Sequence, residues 1–106
     1  MMDELTVISF GEYIRNLRIN FGSPIREIAT QLGIDPSLLG KIERNERQPT
    51  RDLIAKIAVI FKQDEKFLIN QFVSDQFAYK ILEEKVDISI LKVAENKVKY
   101  FTNKRK

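Results

Sequence analysis

Residues 23–50 read SPIREIATQLGIDPSLLGKIERNERQPT, and the fold turns on how this stretch divides. Pro24 suits the first turn of a helix, where a missing N–H costs nothing, and Ile25, Ile28, Ala29 and Leu32 then recur on one face. Gly33 follows as a helix stop, because glycine adopts the left-handed conformation that closes a helix. Asp35 can cap a further helix and Pro36 can occupy its first position, after which Leu39 and Ile42 share a face, so a third short helix runs to about Arg44. The break between the two helices is so short that they must cross steeply and share only a small core, which other helices have to cover.

Working outward, Phe10, Tyr13, Ile14, Leu17 and Phe21 recur at helical spacing behind Ser9 as cap, with Glu12 placed to reach back to the cap amide. This first helix ends near Gly22. Residues 45–49 form a polar loop, Thr50 caps a fourth helix carrying Leu53, Ile57, Ala58 and Phe61, and Asp64 caps a fifth carrying Phe67, Leu68, Gln71 and Phe72. Helical pattern resumes through Phe77, Ala78, Ile81 and Leu82, and Asp87 is predicted to cap a last helix with Ile88, Leu91, Ala94, Val98 and Phe101 on one face. Residues 86–90, VDISI, are too short an alternation for a dependable strand. The predicted class is all-α: a five-helix domain over residues 9–74, a helical extension over 75–103 and a basic tail at 104–106. The extension has too little apolar surface for its own core and must lie on the first domain or on another copy of it.

A chain of 106 residues holds one ordinary domain with an appendage, and its 43% hydrophobic content against seven glycines and prolines together predicts a folded protein. It has neither cysteine nor histidine, which excludes disulfides, thiolate nucleophiles and the usual zinc ligands; the scattered carboxylates Asp35, Asp52, Asp64, Asp75 and Asp87 suit helix capping better than a metal loop. No Gly-rich nucleotide loop is present either, so neither an enzyme, a cofactor nor a metal is expected. The start, MMDELTVISFGEYI, lacks the apolar run of a secretory signal, and no stretch approaches the roughly 20 apolar residues of a membrane span, which predicts a cytoplasmic protein. Net charge is −1 over residues 1–22, +2 over 23–62, −3 over 63–90 and +5 over 91–106. Two separate positive regions are compatible with a polyanion partner, although a basic end is equally compatible with simple solvation.

In order, Ala29, Leu32, Gly33, Ile34, Leu39, Ile42, Glu43, Arg44, Arg47, Pro49 and Thr50 resemble the helix-turn-helix segment of the Cro and phage-repressor (XRE-like) family. Ile14, Arg15, Leu17 and Arg18 of the first helix resemble it too, so the likeness covers about residues 10–73. The extension is similar to those of small homodimeric regulators found beside DNA methyltransferases. The resemblance implies a lambda-repressor-like fold with a C-terminal dimerisation extension, and a transcriptional regulator or repressor that binds double-stranded DNA in the cytoplasm, at the nucleoid, as a homodimer on a near-palindromic operator. Carried over position by position, base readout falls on Pro36, Ser37, Gly40 and Lys41, and phosphate contact on Arg44, Asn45, Arg47 and Gln48, with Arg51 at the start of the fourth helix as a further candidate. Arg18 and Glu43 resemble the family's ion pair between the first helix and the motif. Two departures stand out: Ile25 replaces a common phosphate-gripping glutamine, and Gly40 replaces a common serine.

The residues themselves allow the same assignment. If Leu39 and Ile42 face inward, then Ser37, Gly40, Lys41 and Arg44 point mostly outward, where lysine can donate to guanine and arginine to phosphate. Leu38 either touches a thymine methyl or packs on a neighbouring helix. Phe77, Ile81, Leu91, Ala94, Val98 and Phe101 are the expected dimer interface, the alternative being that the last helix folds back on its own domain. The competing function is an antitoxin-like protein that neutralises a partner protein and autoregulates its operon.

Overall fold

The computed structural model describes residues 7–105; Asp3 and Glu4 near the start and Lys106 of the basic tail lie outside the described residues. The helices are α1 (Phe10–Asn20), α2 (Ile25–Leu32), α3 (Pro36–Glu43), α4 (Arg51–Phe61), α5 (Glu65–Glu84) and α6 (Ile90–Lys104). The all-α helix-turn-helix architecture with a C-terminal helical extension follows the sequence pattern closely through α4. Pro36 opens α3 behind Asp35, whose carboxylate accepts from the Ser37 amide at 2.8 Å. Gly33 closes α2 at φ 73°, and Thr50 caps α4 by accepting from the Leu53 amide at 3.1 Å.

The core is a single apolar cluster in which Ile14, Ile28, Leu39, Ile42, Ile54, Ile57, Phe61 and Leu68 are the largest fully buried side chains. Each of the first five helices contributes to it, so two short motif helices that could not fold alone gain their apolar burial from α1, α4 and α5. Aromatic edges close its rim: Phe10 meets Phe72 at 5.5 Å and Phe21 meets Phe61 at 5.1 Å between ring centres.

The first turn of α1 is tied down from three directions. A helix start leaves its first amides without intrahelical acceptors. Here the Phe10 amide donates to the Asp75 carboxylate at 2.7 Å, the Gly11 amide to Asn45 Oδ1 at 3.1 Å and the Glu12 amide to Ser9 Oγ at 3.2 Å. Glu12 completes the predicted capping box by accepting from the Ser9 amide, and Asn45 Nδ2 donates to Ser9 Oγ at 2.8 Å. Asp75 therefore caps a helix, but not its own.

Gly11 is what lets this network form. A Cβ there would sit 2.5 Å from both the Ile42 carbonyl oxygen and Asn45 Oδ1, and 2.6 Å from the Glu43 carbonyl. Two of these obstacles are backbone, which cannot swing aside. The end of α3 thus lies directly against the start of α1.

Three helix boundaries differ from the sequence reading. A break was expected near residue 74, yet α5 is one helix of 20 residues. Nothing in QFVSDQFA is a helix breaker; Ser74 back-bonds to the Gln71 carbonyl at 3.0 Å, and Asp75 turns its carboxylate to α1 instead of capping a new helix. At the far end α6 begins at Ile90 behind Ser89, not at Ile88 behind Asp87: the Asp87 carboxylate accepts from the Ser89 amide at 2.7 Å, making a turn before the helix, and Ile88 is exposed. Lys104, expected in a separate tail, is the last residue of α6 and its ammonium lies 5.6 Å from the Tyr100 ring centre.

The chain divides into two compact units, one ending at Asp75 and one beginning at Gln76. In the second unit α6 buries no residue, and Phe77, Leu82, Ile88, Val98 and Phe101 are all more than half exposed, at 60%, 72%, 71%, 63% and 53%.

Alanine normally gains up to about 1 kcal/mol over glycine inside a helix. At Gly11 the clash with fixed backbone outweighs this, so Gly11→Ala should lose stability by about 1–3 kcal/mol in urea unfolding followed by circular dichroism. An unchanged or raised midpoint would mean that α1 and α3 do not meet as described.

Candidate nucleic-acid interface

The motif helix α3 is anchored on one side and bare on the other. Leu39 is fully buried and Ile42 nearly so, while Ser37 and Lys41 are exposed. Pro36 starts the helix and is half-buried, and Leu38 is a partly buried residue packed on the core. Ser37 is not a free hydroxyl, since it donates to Asp35 Oδ1 at 2.8 Å. Those two hydrogen bonds from Ser37 hold the Asp35 carboxyl below its ordinary value, with the nearby Lys41 charge adding to the effect.

Gly40 departs from the expected outward orientation. It is buried, because the Arg44 guanidinium and the Ile25 side chain lie over it: a Cβ at Gly40 would be 3.1 Å from Arg44 Nη1 and 3.6 Å from Ile25 Cδ1. Residues four apart stack on one helix face, which is how Arg44 reaches back over Gly40. Arg44 itself is exposed and its Nε donates to Glu46 Oε2 at 2.8 Å, which raises the guanidinium pKa and lowers that of the carboxyl.

Asn45 takes a left-handed conformation, φ 62°, and directs both ends of its amide to α1, as described above. It sits in the loop where the sequence reading expected a phosphate contact, but its side chain is engaged in joining α3 to α1. Arg47 and Arg51 are exposed, one in the loop and one at the first position of α4; Gln48 is exposed as well. Lys41, Arg44, Arg47 and Arg51 thus give the end of α3, the loop and the start of α4 a run of cations on the outside of the motif.

Behind this surface, the Arg18 guanidinium grips Glu43 with two hydrogen bonds, Nε to Oε2 at 2.7 Å and Nη2 to Oε1 at 3.0 Å, while Nη1 donates to the Ser23 carbonyl at 3.1 Å. Glu43 is the buried charged residue of the described structure, 5% exposed, and its hydrogen bond raises the Arg18 pKa. The bidentate pair fixes the angle at which α3 leaves α1, and Ser23 brings the start of α2 into the same joint.

In the second unit, Phe77 and Ile81 of α5 and Leu91, Ala94 and Val98 of α6 line one apolar groove of about 370 Å³. Phe101 is not part of its lining; it is exposed and its ring meets Tyr100 at 5.6 Å. Ile90 lines the groove as well, as do Lys80 and Glu95, and was missed in the sequence, where Asp87 reads as the cap of this helix. Glu46 and Asp75 were likewise missed as partners; the opposite charge two residues from Arg44 could have marked Glu46, whereas nothing local to Asp75 marks it as an acceptor for α1.

Among the described residues no three His, Cys, Asp or Glu side chains are placed to hold a metal ion, and no helix is long and apolar enough to cross a membrane. Residues 11–72 match the helix-turn-helix domain family, and the chain belongs to it. It is a small helical member of a family of binding domains. Among solved structures, a chain of one described as the SinR protein/SinI protein complex is similar in fold, with TM-score 0.53, 18% identity, and coverage of 89% of this chain and 98% of that one. No curated protein sequence matches the chain significantly.

A buried charge left without its partner costs about 3–5 kcal/mol, whereas replacing both by apolar groups is often near neutral. Arg18→Met and Glu43→Leu should each destabilise strongly in urea unfolding and the double variant distinctly less than the sum of the two. Additive losses would contradict the joint.

Proposed function

We propose that this chain is a sequence-specific double-stranded DNA-binding transcriptional regulator that acts as a homodimer on a near-palindromic operator. The observation that carries the reading is the two-sided α3: Leu39, Ile42 and Glu43 are held inside, and Ser37 and Lys41 stand outside with the cations of the following loop. A helix anchored this way can lie in a major groove with its start toward the base edges. Lys41 donates to guanine O6 or N7 and is the main specificity residue, with Pro36 and Ser37 at the groove edge. Arg44, Arg47 and Arg51, helped by Gln48, contact phosphates and set register and salt-dependent affinity. Asn45 serves chiefly by holding α3 to α1.

Lys41→Ala should weaken operator binding and lose about 1–3 kcal/mol of discrimination at one base position, whereas Arg47→Ala should weaken all duplexes to a similar degree. Binding across a panel of operator point mutants separates the two; unchanged discrimination in the Lys41 variant removes it from base reading.

The apolar groove of the second unit supports pairing through the extension. A groove formed by Phe77, Ile81, Leu91, Ala94 and Val98 and left open to water is costly for a monomer and is relieved by a second copy that covers it; reading a near-palindromic operator then requires the two α3 helices about 34 Å apart, one turn of DNA. The second reading, an antitoxin-like partner of another protein, draws on the same groove and on the fold likeness to a chain from a two-protein complex. Sedimentation at micromolar concentration should give a dimer of this chain alone. A monomer that co-purifies with an equimolar second protein would favour the alternative.

A further inference from the structure

Two features that look like losses meet at one place. Ile25 brings no donor to the start of α2, and Gly40 brings no side chain to the middle of α3. Both border a cleft of about 620 Å³ whose walls also carry Arg15 and Arg44. Arg44 fills the space that a side chain at position 40 would take, its Nη1 3.1 Å from where that Cβ would be, with Ile25 beside it. One arginine thereby presents donors at the spot left empty by two substitutions.

The other acids of the cleft are already committed: Glu43 is held by Arg18, and Glu12 by the Ser9 capping box. Arg44 alone is paired outward, to Glu46, in a bond exposed on both sides, with side-chain exposures of 59% and 53%. An exposed pair of this kind is weak and screened by salt, so a stronger anion can displace the carboxylate. A phosphate diester offers the guanidinium two charged non-bridging oxygens in place of the carboxylate pair and, as part of a polyanion, gains counterion release as well.

We propose that Arg44 is a phosphate clamp kept in position by its own chain: Gly40 and Ile25 seat the guanidinium at the cleft beside Arg15, Glu46 occupies the place of a DNA phosphate in the free protein, and duplex binding exchanges one for the other. Gly40 is then a positioning residue for Arg44 and not a reader of bases, and Glu46 is an internal competitor that lowers affinity for every sequence alike. This rests on the DNA-binding reading given above.

The experiment is equilibrium binding of the full chain to a selected duplex and to an unrelated one, over a salt series, for wild type, Glu46→Gln, Gly40→Ala, Arg44→Ala and the two doubles that combine Arg44→Ala with each of the others. Folding is checked by circular dichroism; alanine favours the helix, crowds the flexible end of Arg44 and meets Ile25 at ordinary contact distance, so Gly40→Ala should stay folded. Glu46→Gln is expected to tighten both duplexes several-fold. Gly40→Ala and Arg44→Ala should weaken both several-fold and reduce the slope of log affinity against log salt by about 0.9, one phosphate. In the Arg44→Ala background both other effects should vanish. A Glu46→Gln gain that survives loss of Arg44 would show plain relief of repulsion and overturn the clamp, as would a Gly40→Ala effect confined to the selected duplex. If wild type binds no duplex even at low salt, the DNA-binding reading itself falls, an outcome distinct from these.

Discussion

The arrangement depends on the backbone of α1 touching the backbone of α3. Only a residue without a Cβ permits that approach, and Gly11 stands where a methyl group would strike two carbonyls. Once the helices are this close, the end of α3 can turn left-handed at Asn45, whose amide then closes the first turn of α1 from outside. Asp75 closes it from α5. Two elements far apart in the chain thus join the local Ser9 cap at three successive amides, and the cost of leaving the Phe10 and Gly11 amides unpaired makes the convergence specific.

The consequence for function lies one turn further along α3. Glu43, four residues before the loop cation Arg47, is locked to Arg18, and the Leu39–Ile42 face is in the core, so the polar side of the helix has no rotational freedom left. A reading surface needs this: base edges are recognised by donors held to within a fraction of an ångström, and a helix that could roll would lose discrimination before it lost affinity. At the rim of the motif its own charges lie against each other, Arg44 with Glu46 and Asp35 near Lys41.

Much of this was legible in the sequence. Caps at Ser9, Asp35 and Thr50, the stop at Gly33 and the apolar periodicity of α1 to α4 are local signals, and the structure uses them locally. What could not be read is non-local. Asp75 looks like a helix start and Asn45 like a solvent-facing loop residue until α1 is placed beside them; Gly11 looks like ordinary variation in a helix. Gly40 was assigned outward from its helical phase, but phase says nothing of a neighbour four residues on that folds back over it. At the far end, Asp87 satisfies the pattern of a cap and in fact makes the turn before one, since the same side chain serves both purposes over a two-residue reach.

The central claim, that the outward face of α3 and the loop after it receive duplex DNA, is tested most directly by amide shifts in isotope-labelled protein. A duplex enriched from a random pool would be added at low salt. The largest changes are predicted at Ser37 to Arg47 and at Arg51, with the core amides of Leu39 and Ile42 still protected from exchange. Shifts confined to residues 76–105, or none at any salt concentration, would contradict it.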